Sequence, residues 1–302
     1  MYMKGNYLEA YHFITKYSHS IKGVIAQIYN FRFTIACKAG LSKLAIQIMC
    51  EAIIAKGYWY SCQYLMEDDD LEPLKKSKEF NRLVNICKVR EKKAKINEKP
   101  ELKVYLPGNM EKMLDYPLMM ALHGNQENIN IAEDYWISSI EKKYILALPQ
   151  SSQIQFSDGY EWKDMKKGLQ ELQIHYHKLL KNYNIDHELT IIAGFSAGGR
   201  LALYSILKDI IHVKECILVA PWLPEIDDWH PLIHKLKEKN TPCYLVCGDK
   251  DKDCYVGTKK FAEILKIKKI PYWLKIFEGL DHEFPEDFNA VLQNALHYFS
   301  KF

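Results

Sequence analysis

The stretch that decides the fold is residues 189–200, which reads LTIIAGFSAGGR. Its first five residues have the length and apolar character of a buried β-strand, and a helical pattern begins at Ala197. Gly194 and Gly198 flank Ser196 at two-residue spacing, and glycines at such positions remove the Cβ atoms that would clash in a sharp bend. We predict a strand, a tight turn and a helix, with Ser196 raised out of the sheet as a nucleophile.

The motif alone is weak evidence. With glycine and serine near average usage, the pattern G-x-S-x-G arises by chance in about one chain in ten of this length. An ordinary strand-to-helix turn with a serine N-cap would also produce it. The interpretation therefore depends on finding the partners that a nucleophilic serine requires.

An oxyanion-binding loop is the first such partner. The apolar run 117–121 is followed by His123, Gly124 and Asn125. Acyl transfer builds negative charge on a carbonyl oxygen, so two backbone N–H groups must already point to its position. We predict that Ala197 and Asn125 supply them, and we interpret His123 as a structural loop histidine.

The acid and the base are expected in loops that follow later strands. The apolar run 242–247 precedes three aspartates, of which Asp251 is the preferred acid and Asp249 the next choice; Asp227 and Asp228, after the preceding strand, are the remaining candidates. Of the eleven histidines, only His282 lies between the final strand and the final helix. We predict His282 as the general base.

Short apolar runs alternate with helical stretches throughout the second part of the chain. This alternation predicts an α/β fold, a mostly parallel sheet flanked by helices. The expected strands are 102–106, 117–122, 144–148, 189–193, 215–220, 242–247 and 272–277, and the expected helices are 128–141, 162–183, 197–209, 257–268 and 286–301.

The first hundred residues have a different pattern. Residues 24–56 carry apolar side chains at helical spacing, interrupted at Gly40, and this predicts a helical hairpin that resembles one degenerate tetratricopeptide repeat. A charged stretch, 88–100, follows and has the composition of a helix end and linker. We therefore predict a small all-α N-terminal domain over 1–98 and a catalytic domain over 99–302.

Residues 100–302 resemble the α/β-hydrolase superfamily, near its phospholipase/carboxylesterase and dienelactone-hydrolase-like branches. The chain order Ser196, Asp251, His282 is the order of that superfamily. The supporting motifs are Leu122-His123-Gly124, Pro149-Gln150-Ser151, Gly194-Phe195-Ser196-Ala197-Gly198-Gly199, Gly248-x-x-Asp251 and Gly279-x-x-His282. The resemblance implies a serine hydrolase that cleaves a carboxylic ester through an acyl-enzyme on Ser196. This chain differs from the family at Ala197, where esterases of the family commonly have glutamine.

Other features bear on ligands and location. Net charge is +3, from 41 basic and 38 acidic residues, which favours neither nucleic acid nor an anionic membrane as partner. Eight dispersed cysteines without a C-x-x-C pair indicate reduced thiols and no structural metal, and no cofactor is expected. The N-terminus has no secretory h-region, so a cytoplasmic location is expected.

Substrate and partners remain open at this level. Trp162 and Trp222 are candidates for lining a substrate pocket, with core packing as the alternative. A small-molecule ester is the expected substrate, and a peptidase or acyl-thioesterase could use the same three residues. A different class is an interaction protein with an inactive hydrolase scaffold, which would bind a partner or associate with itself through the N-terminal helices.

Overall fold

The structure is a computed structural model that describes residues 1–108, 111 and 114–302. Five α-helices occupy the N-terminal part: α1 (Tyr7–Tyr17), α2 (Ile25–Lys38), α3 (Ser42–Cys50), α4 (Cys62–Glu67) and α5 (Lys78–Asn97). A π-helical turn, Glu51–Ala55, extends α3, and 3₁₀ turns lie at Tyr2–Lys4 and Asp69–Leu74. The predicted helical hairpin over 24–56 is confirmed as α2 and α3.

Small residues let the helices of this hairpin approach closely. Gly40 has φ +80°, a left-handed conformation that ends α2 at little steric cost. Ala36, Ala45 and Ala52 are fully buried, together with Phe33. The three alanine side chains are too small to hold the helix axes apart.

Nine strands and seven helices follow in the described part of the chain. In chain order they are β1 (Glu101–Tyr105), β2 (Tyr116–Leu122), α6 (Ile129–Trp136), β3 (Ile145–Gln150), β4 (Ile154–Phe156), β5 (Gly159–Tyr160), α7 (Met165–Asn182), β6 (Ile185–Phe195), α8 (Ala197–Leu207), β7 (Glu215–Val219), α9 (Ile226–Trp229), α10 (His234–Glu238), β8 (Cys243–Gly248), α11 (Tyr255–Ile267), β9 (Tyr272–Phe277) and α12 (Phe288–Phe299). Two 3₁₀ turns, Ile137–Lys142 and His230–Leu232, continue α6 and α9.

Seven of these strands form one sheet, in the order β1-β3-β2-β6-β7-β8-β9. Only β1 runs antiparallel to its neighbour, and the other pairs are parallel. All seven predicted strands and all five predicted helices are present, so the mostly parallel α/β fold is confirmed. Because parallel strands share one direction, the loops after β2, β6, β8 and β9 meet at the same edge of the sheet.

The central strands are buried on both faces. In β2, Leu118 and Met120 belong to one hydrophobic cluster and Met119 and Ala121 to the other, and all four side chains are fully buried. Helices cover both faces of such a sheet, which explains why its strands read as continuous apolar runs rather than as alternating patterns.

The chain divides into two compact units, Met1–Lys99 with Ser152–Glu161, and Pro100–Ser151 with Trp162–Phe302. The predicted catalytic domain, 99–302, includes residues 152–161, whereas the structure groups the β4–β5 hairpin with the N-terminal helices. The backbone N–H of Trp59 donates to Ser157 Oγ at 2.8 Å, and Tyr160 donates to Glu98 at 3.0 Å. Within the described residues, no helix combines the length and apolar composition needed to cross a bilayer.

Candidate active site

Ser196 occupies a strained turn between β6 and α8. Its backbone has φ +52° and ψ −120°, which is unusual for a residue with a side chain. A Cβ on Gly194 would lie 2.5 Å from the backbone of Gly198, and a Cβ on Gly198 would lie 2.4 Å from the carbonyl oxygen of His123. Only glycine therefore fits at either position, and the turn has the form predicted from the sequence.

The structure brings Ser196, His282 and Asp251 into one hydrogen-bonded chain. His282 Nε2 lies 2.9 Å from Ser196 Oγ, and His282 Nδ1 lies 2.8 Å from Asp251 Oδ2. With the ring proton on Nδ1 donated to the carboxylate, the Nε2 lone pair faces the serine hydroxyl. The arrangement can therefore remove a proton from Ser196.

Asp251 is held in position by backbone donors. Its Oδ1 accepts hydrogen bonds from the N–H groups of Cys254 at 2.9 Å and Asp253 at 3.2 Å, and the residue is 1% exposed. Each carboxylate oxygen therefore has a partner, which satisfies a buried charge and fixes its direction.

The other acidic candidates have different partners. Asp249 accepts a hydrogen bond from the N–H of Gly279 at 2.8 Å, and it joins the loop after β8 to the loop after β9. A Cβ on Gly248 would lie 2.1 Å from the carbonyl oxygen of Leu280, so glycine permits these loops to approach. Asp227 pairs with Lys260 at 2.6 Å. Of these aspartates, Asp251 is the one that contacts His282.

The loop after β2 carries the candidate oxyanion donor. Asn125 accepts a hydrogen bond from the backbone N–H of Trp162 through its Oδ1 at 2.9 Å, so its side-chain oxygen is occupied. The N–H of Ala197 lies in the first turn of α8, where no intrahelical acceptor exists. The prediction that the backbone N–H groups of Ala197 and Asn125 bind the oxyanion is compatible with these contacts.

His123, in this loop, packs against Trp162. Their rings stack with centroids 4.9 Å apart, and the Trp162 indole N–H donates to the His123 carbonyl oxygen at 2.9 Å. His123 Nδ1 lies 2.7 Å from the carbonyl oxygen of Gly124, and Nε2 accepts the N–H of Ser151 at 3.3 Å. Burial lowers the pKa of His123 to about 4, so the ring is neutral at pH 7. This agrees with its interpretation as a structural histidine.

Trp162 and Trp222 occupy different environments. Trp162 is 1% exposed and belongs to the core. It therefore corresponds to the alternative of core packing rather than to a residue that lines a substrate pocket. Trp222 is 37% exposed, and its backbone N–H donates to the Ser196 carbonyl oxygen at 3.1 Å. The Arg200 guanidinium lies 4.8 Å from its ring centroid and is itself paired with Glu225. Trp222 is thus the tryptophan that is both exposed and adjacent to Ser196.

Glu127 is a residue of this site that sequence reasoning missed. Its Oε2 accepts a hydrogen bond from the N–H of Gly124 at 2.7 Å, next to the candidate oxyanion donor. Burial raises the pKa of Glu127 to about 7, against the opposing effects of that hydrogen bond and of nearby His282. No spacing rule singles out this residue, because its position depends on how the loop after β2 folds back.

One group of residues in the described part of the chain could hold a metal ion: Asp251, Cys254 and His282. Their ligand atoms all lie within 4.8 Å of one another. His230 and His234 are four residues apart in the chain, and they acquire no third ligand among the described residues.

A strained serine turn after β6, with histidine and aspartate from the loops after β9 and β8, defines the α/β-hydrolase class. Comparison with known families supports the assignment to this class and identifies one family within it. Residues 147–297 match the dienelactone hydrolase family, and the chain belongs to that family. Residues 1–95, which include the hairpin that resembles a tetratricopeptide repeat, match the family described as "A/B hydrolase-like, N-terminal domain".

Solved structures show the same fold. An uncharacterized protein from Bacillus cereus ATCC 10987 is 47% identical, with 98% of this chain and 94% of that chain covered and a TM-score of 0.60. Esterase PE8 is 18% identical over 66% of this chain and 98% of its own, with a TM-score of 0.55. A ferulic acid esterase is 16% identical over 68% and 94%, with a TM-score of 0.53. Among curated proteins no match was found.

Proposed function

We propose that the protein hydrolyses small or medium carboxylic esters through an acyl-enzyme on Ser196. The observation that carries the proposal is the hydrogen-bonded chain from Ser196 Oγ through His282 to Asp251 Oδ2, with separations of 2.9 and 2.8 Å. A nucleophile, a base and an orienting acid within direct hydrogen-bond reach are the groups that acyl transfer requires.

The first half of the reaction forms the acyl-enzyme. His282 Nε2 accepts the hydroxyl proton of Ser196 while Oγ attacks the ester carbonyl carbon. The carbonyl oxygen becomes an oxyanion, which the N–H groups of Ala197 and Asn125 stabilise. His282 then gives its proton to the departing alcohol oxygen, and the C–O bond of the ester breaks.

The second half releases the acid. Water gives a proton to His282 Nε2 and attacks the acyl carbon, and the oxyanion forms in the same place. Collapse of this intermediate returns the proton to Ser196 Oγ and frees the carboxylic acid. Asp251 keeps the imidazole in the reactive tautomer and stabilises the imidazolium through both halves, and none of these steps requires a cofactor.

An ester is preferred to a peptide as the substrate class because an alkoxide leaves more readily than an amine. A small ester also needs no extended subsites for a peptide chain. We propose that Trp222 forms one wall of the acyl or alcohol pocket, since it is exposed beside the Ser196 backbone and held by Arg200. A small-molecule ester is therefore the proposed ligand.

Rates on three matched substrate series test the proposal. Esters of increasing acyl length, the corresponding thioesters and aminoacyl-peptides are assayed with wild type and with Ser196→Ala. We expect the highest kcat/KM on an ester and loss of at least about 10⁴-fold in the variant. Activity confined to peptides or thioesters would reject the ester assignment, and equal rates in both proteins would reject Ser196 as nucleophile. A folded wild type without activity on any series would favour the scaffold alternative.

A further inference from the structure

A buried thiol lies beside the proposed acid and base and has no part in the proposed reaction. Cys254 is fully buried, and its Sγ lies 3.6 Å from His282 Nδ1. Its backbone N–H donates to Asp251 Oδ1, so the turn that fixes the carboxylate also fixes the thiol. Nδ1 of His282 therefore has two neighbours, a carboxylate oxygen and a sulfur.

These three side chains are a donor set that zinc and similar cations prefer. A thiolate, an imidazole nitrogen and a carboxylate oxygen bind Zn²⁺ at about 2.3, 2.0 and 2.1 Å, and tetrahedral geometry then separates the donors by about 3.3–3.7 Å. The Sγ to Nδ1 distance of 3.6 Å already falls in this range. The Nδ1 to Oδ2 distance of 2.8 Å must lengthen by about 0.5 Å, which breaks the hydrogen bond between His282 and Asp251.

We propose that Asp251, Cys254 and His282 form a binding site for Zn²⁺ or a cation of similar softness, with water as fourth ligand, and that occupation of this site inhibits the hydrolase. The inhibitory part rests on the proposed function, whereas the binding part does not. The cation and the reaction compete for Nδ1 of His282 and for the Asp251 carboxylate.

The proton balance explains the inhibition. The Cys254 thiol loses its proton to solvent as the sulfur binds the cation. The cation takes the Nδ1 lone pair, so the single proton of the neutral imidazole resides on Nε2. That nitrogen then donates to Ser196 Oγ and can no longer accept its proton, and no redox partner is involved in the step.

Access to the site is restricted. The side chains of Asp251 and Cys254 are buried, whereas the side chain of His282 is 36% exposed. Binding therefore needs local opening around the two buried donors, and we expect inhibition to develop slowly after Zn²⁺ is added rather than on mixing.

Cadmium absorbance tests binding without reference to activity. Cd²⁺ thiolates absorb in the ultraviolet through charge transfer from sulfur to the metal, and the protein titrated is Ser196→Ala, which keeps all three donors. We expect one equivalent of Cd²⁺ to produce the band, and we expect the band to be absent when Cys254→Ala is added to Ser196→Ala. Cys254→Ser serves as a second form if the alanine variant does not fold.

Cys247 provides a matched control. Its thiol is also buried and lies 3.9 Å from Asp251 Oδ2, but it is outside the three-donor set. Cys247→Ala should keep both the Cd²⁺ band and the Zn²⁺ inhibition. A band that persists in both Cys254 variants, or that disappears in Cys247→Ala, would overturn the assignment.

Zn²⁺ inhibition of ester hydrolysis tests the consequence. Each variant is compared with its own metal-free rate, at the Zn²⁺ concentration that inhibits wild type tenfold. We expect less than twofold inhibition of Cys254→Ala and tenfold inhibition of Cys247→Ala, with full recovery of wild type on chelation. A Cys254-dependent band in a protein without esterase activity would reject the proposed function alone. Esterase activity with equal Zn²⁺ inhibition of wild type and Cys254→Ala would reject the metal site alone.

Discussion

Replacing Gly198 by alanine should disable the site without removing any of its functional groups. The new Cβ would lie 2.4 Å from the carbonyl oxygen of His123 and 2.7 Å from that of Leu122, and ordinary contact begins at 3.4 Å. Both neighbours are backbone atoms of the strand and loop that carry the candidate oxyanion donor. The start of α8 and this loop must therefore separate by about 1 Å.

The separation moves the N–H of Ala197 relative to that of Asn125. A displacement of about 1 Å at reacting groups costs on the order of 10²-fold in rate, and complete loss of one oxyanion donor costs about 10²- to 10³-fold. We expect kcat of Gly198→Ala on a short-chain ester to fall by about 10²-fold or more. KM should change little, because the donors act mainly on the transition state.

Gly257→Ala is the matched control. Gly257 lies in α11, and its Cβ would sit 3.5 Å from Leu223 Cβ, which is ordinary contact. We expect unchanged kcat and a gain of up to about 1 kcal/mol in the free energy of unfolding, since alanine is the better helix former. Urea unfolding and steady-state kinetics on both variants check these values. If Gly198→Ala remained folded with kcat within threefold of wild type, the close approach would have no bearing on catalysis.

Three further outcomes follow from the structure. Asp251→Asn should lower kcat by about 10³- to 10⁴-fold because it favours the wrong imidazole tautomer, while Asp249→Asn should lower it less than tenfold; the reverse order in an ester assay would reassign the acid. Trp222→Ala should raise KM more than it lowers kcat, and unchanged kinetics on every acyl length would remove Trp222 from the pocket. Burial raises the pKa of Glu215 to about 7, and its Oε2 has no partner among the described residues. Because this pKa is raised on folding, the contribution of the protonated Glu215 carboxyl to the free energy of unfolding is complete below about pH 4.5. It is lost as the pH rises through 7. Glu215→Gln should therefore have a larger free energy of unfolding in urea than wild type at pH 8, by up to about 3 kcal/mol. At pH 4.5 the two proteins should differ little.

The sheet could be predicted because its strands are buried on both faces. Continuous apolar runs are sufficient to locate β2, β6, β7 and β8 in the sequence, and no alternating pattern is needed. The start of β6 was placed at residue 189 rather than at Ile185, because Asp186, His187 and Glu188 are polar and have the composition of a loop. Ile185 pairs with Tyr116 of β2, and pairing resumes at Thr190 after an irregularity in register. The polar residues between them therefore lie within β6 without a buried side chain that would mark the strand.

The β4–β5 hairpin had no comparable signal. Its strands contain three and two residues, too few for a periodic pattern. A Cβ on Gly159 would lie 2.3 Å from the Phe156 ring, so the turn depends on a glycine that lets an aromatic side chain fold across it. The grouping of this hairpin with the N-terminal helices depends on hydrogen bonds between residues about 60 to 100 positions apart.

The site was predictable where chain order and strand ends determine it. Ser196, Asp251 and His282 each follow a strand of the same parallel sheet, so the sequence was sufficient to expect them together. The preference for Asp251 over Asp249 is resolved only by side-chain direction. Glu127 and Cys254 were missed because their contacts arise from how two loops fold back, which local sequence patterns do not encode.

Covalent labelling tests the central claim most directly. Wild type and Ser196→Ala are treated with a fluorophosphonate, and intact mass followed by peptide mapping locates the adduct. We expect one phosphonyl group per chain, on Ser196, with loss of ester hydrolysis in proportion to labelling, and no adduct on Ser196→Ala. Labelling at another residue, or a fully labelled protein that still hydrolyses esters, would contradict the assignment of Ser196 as the nucleophile.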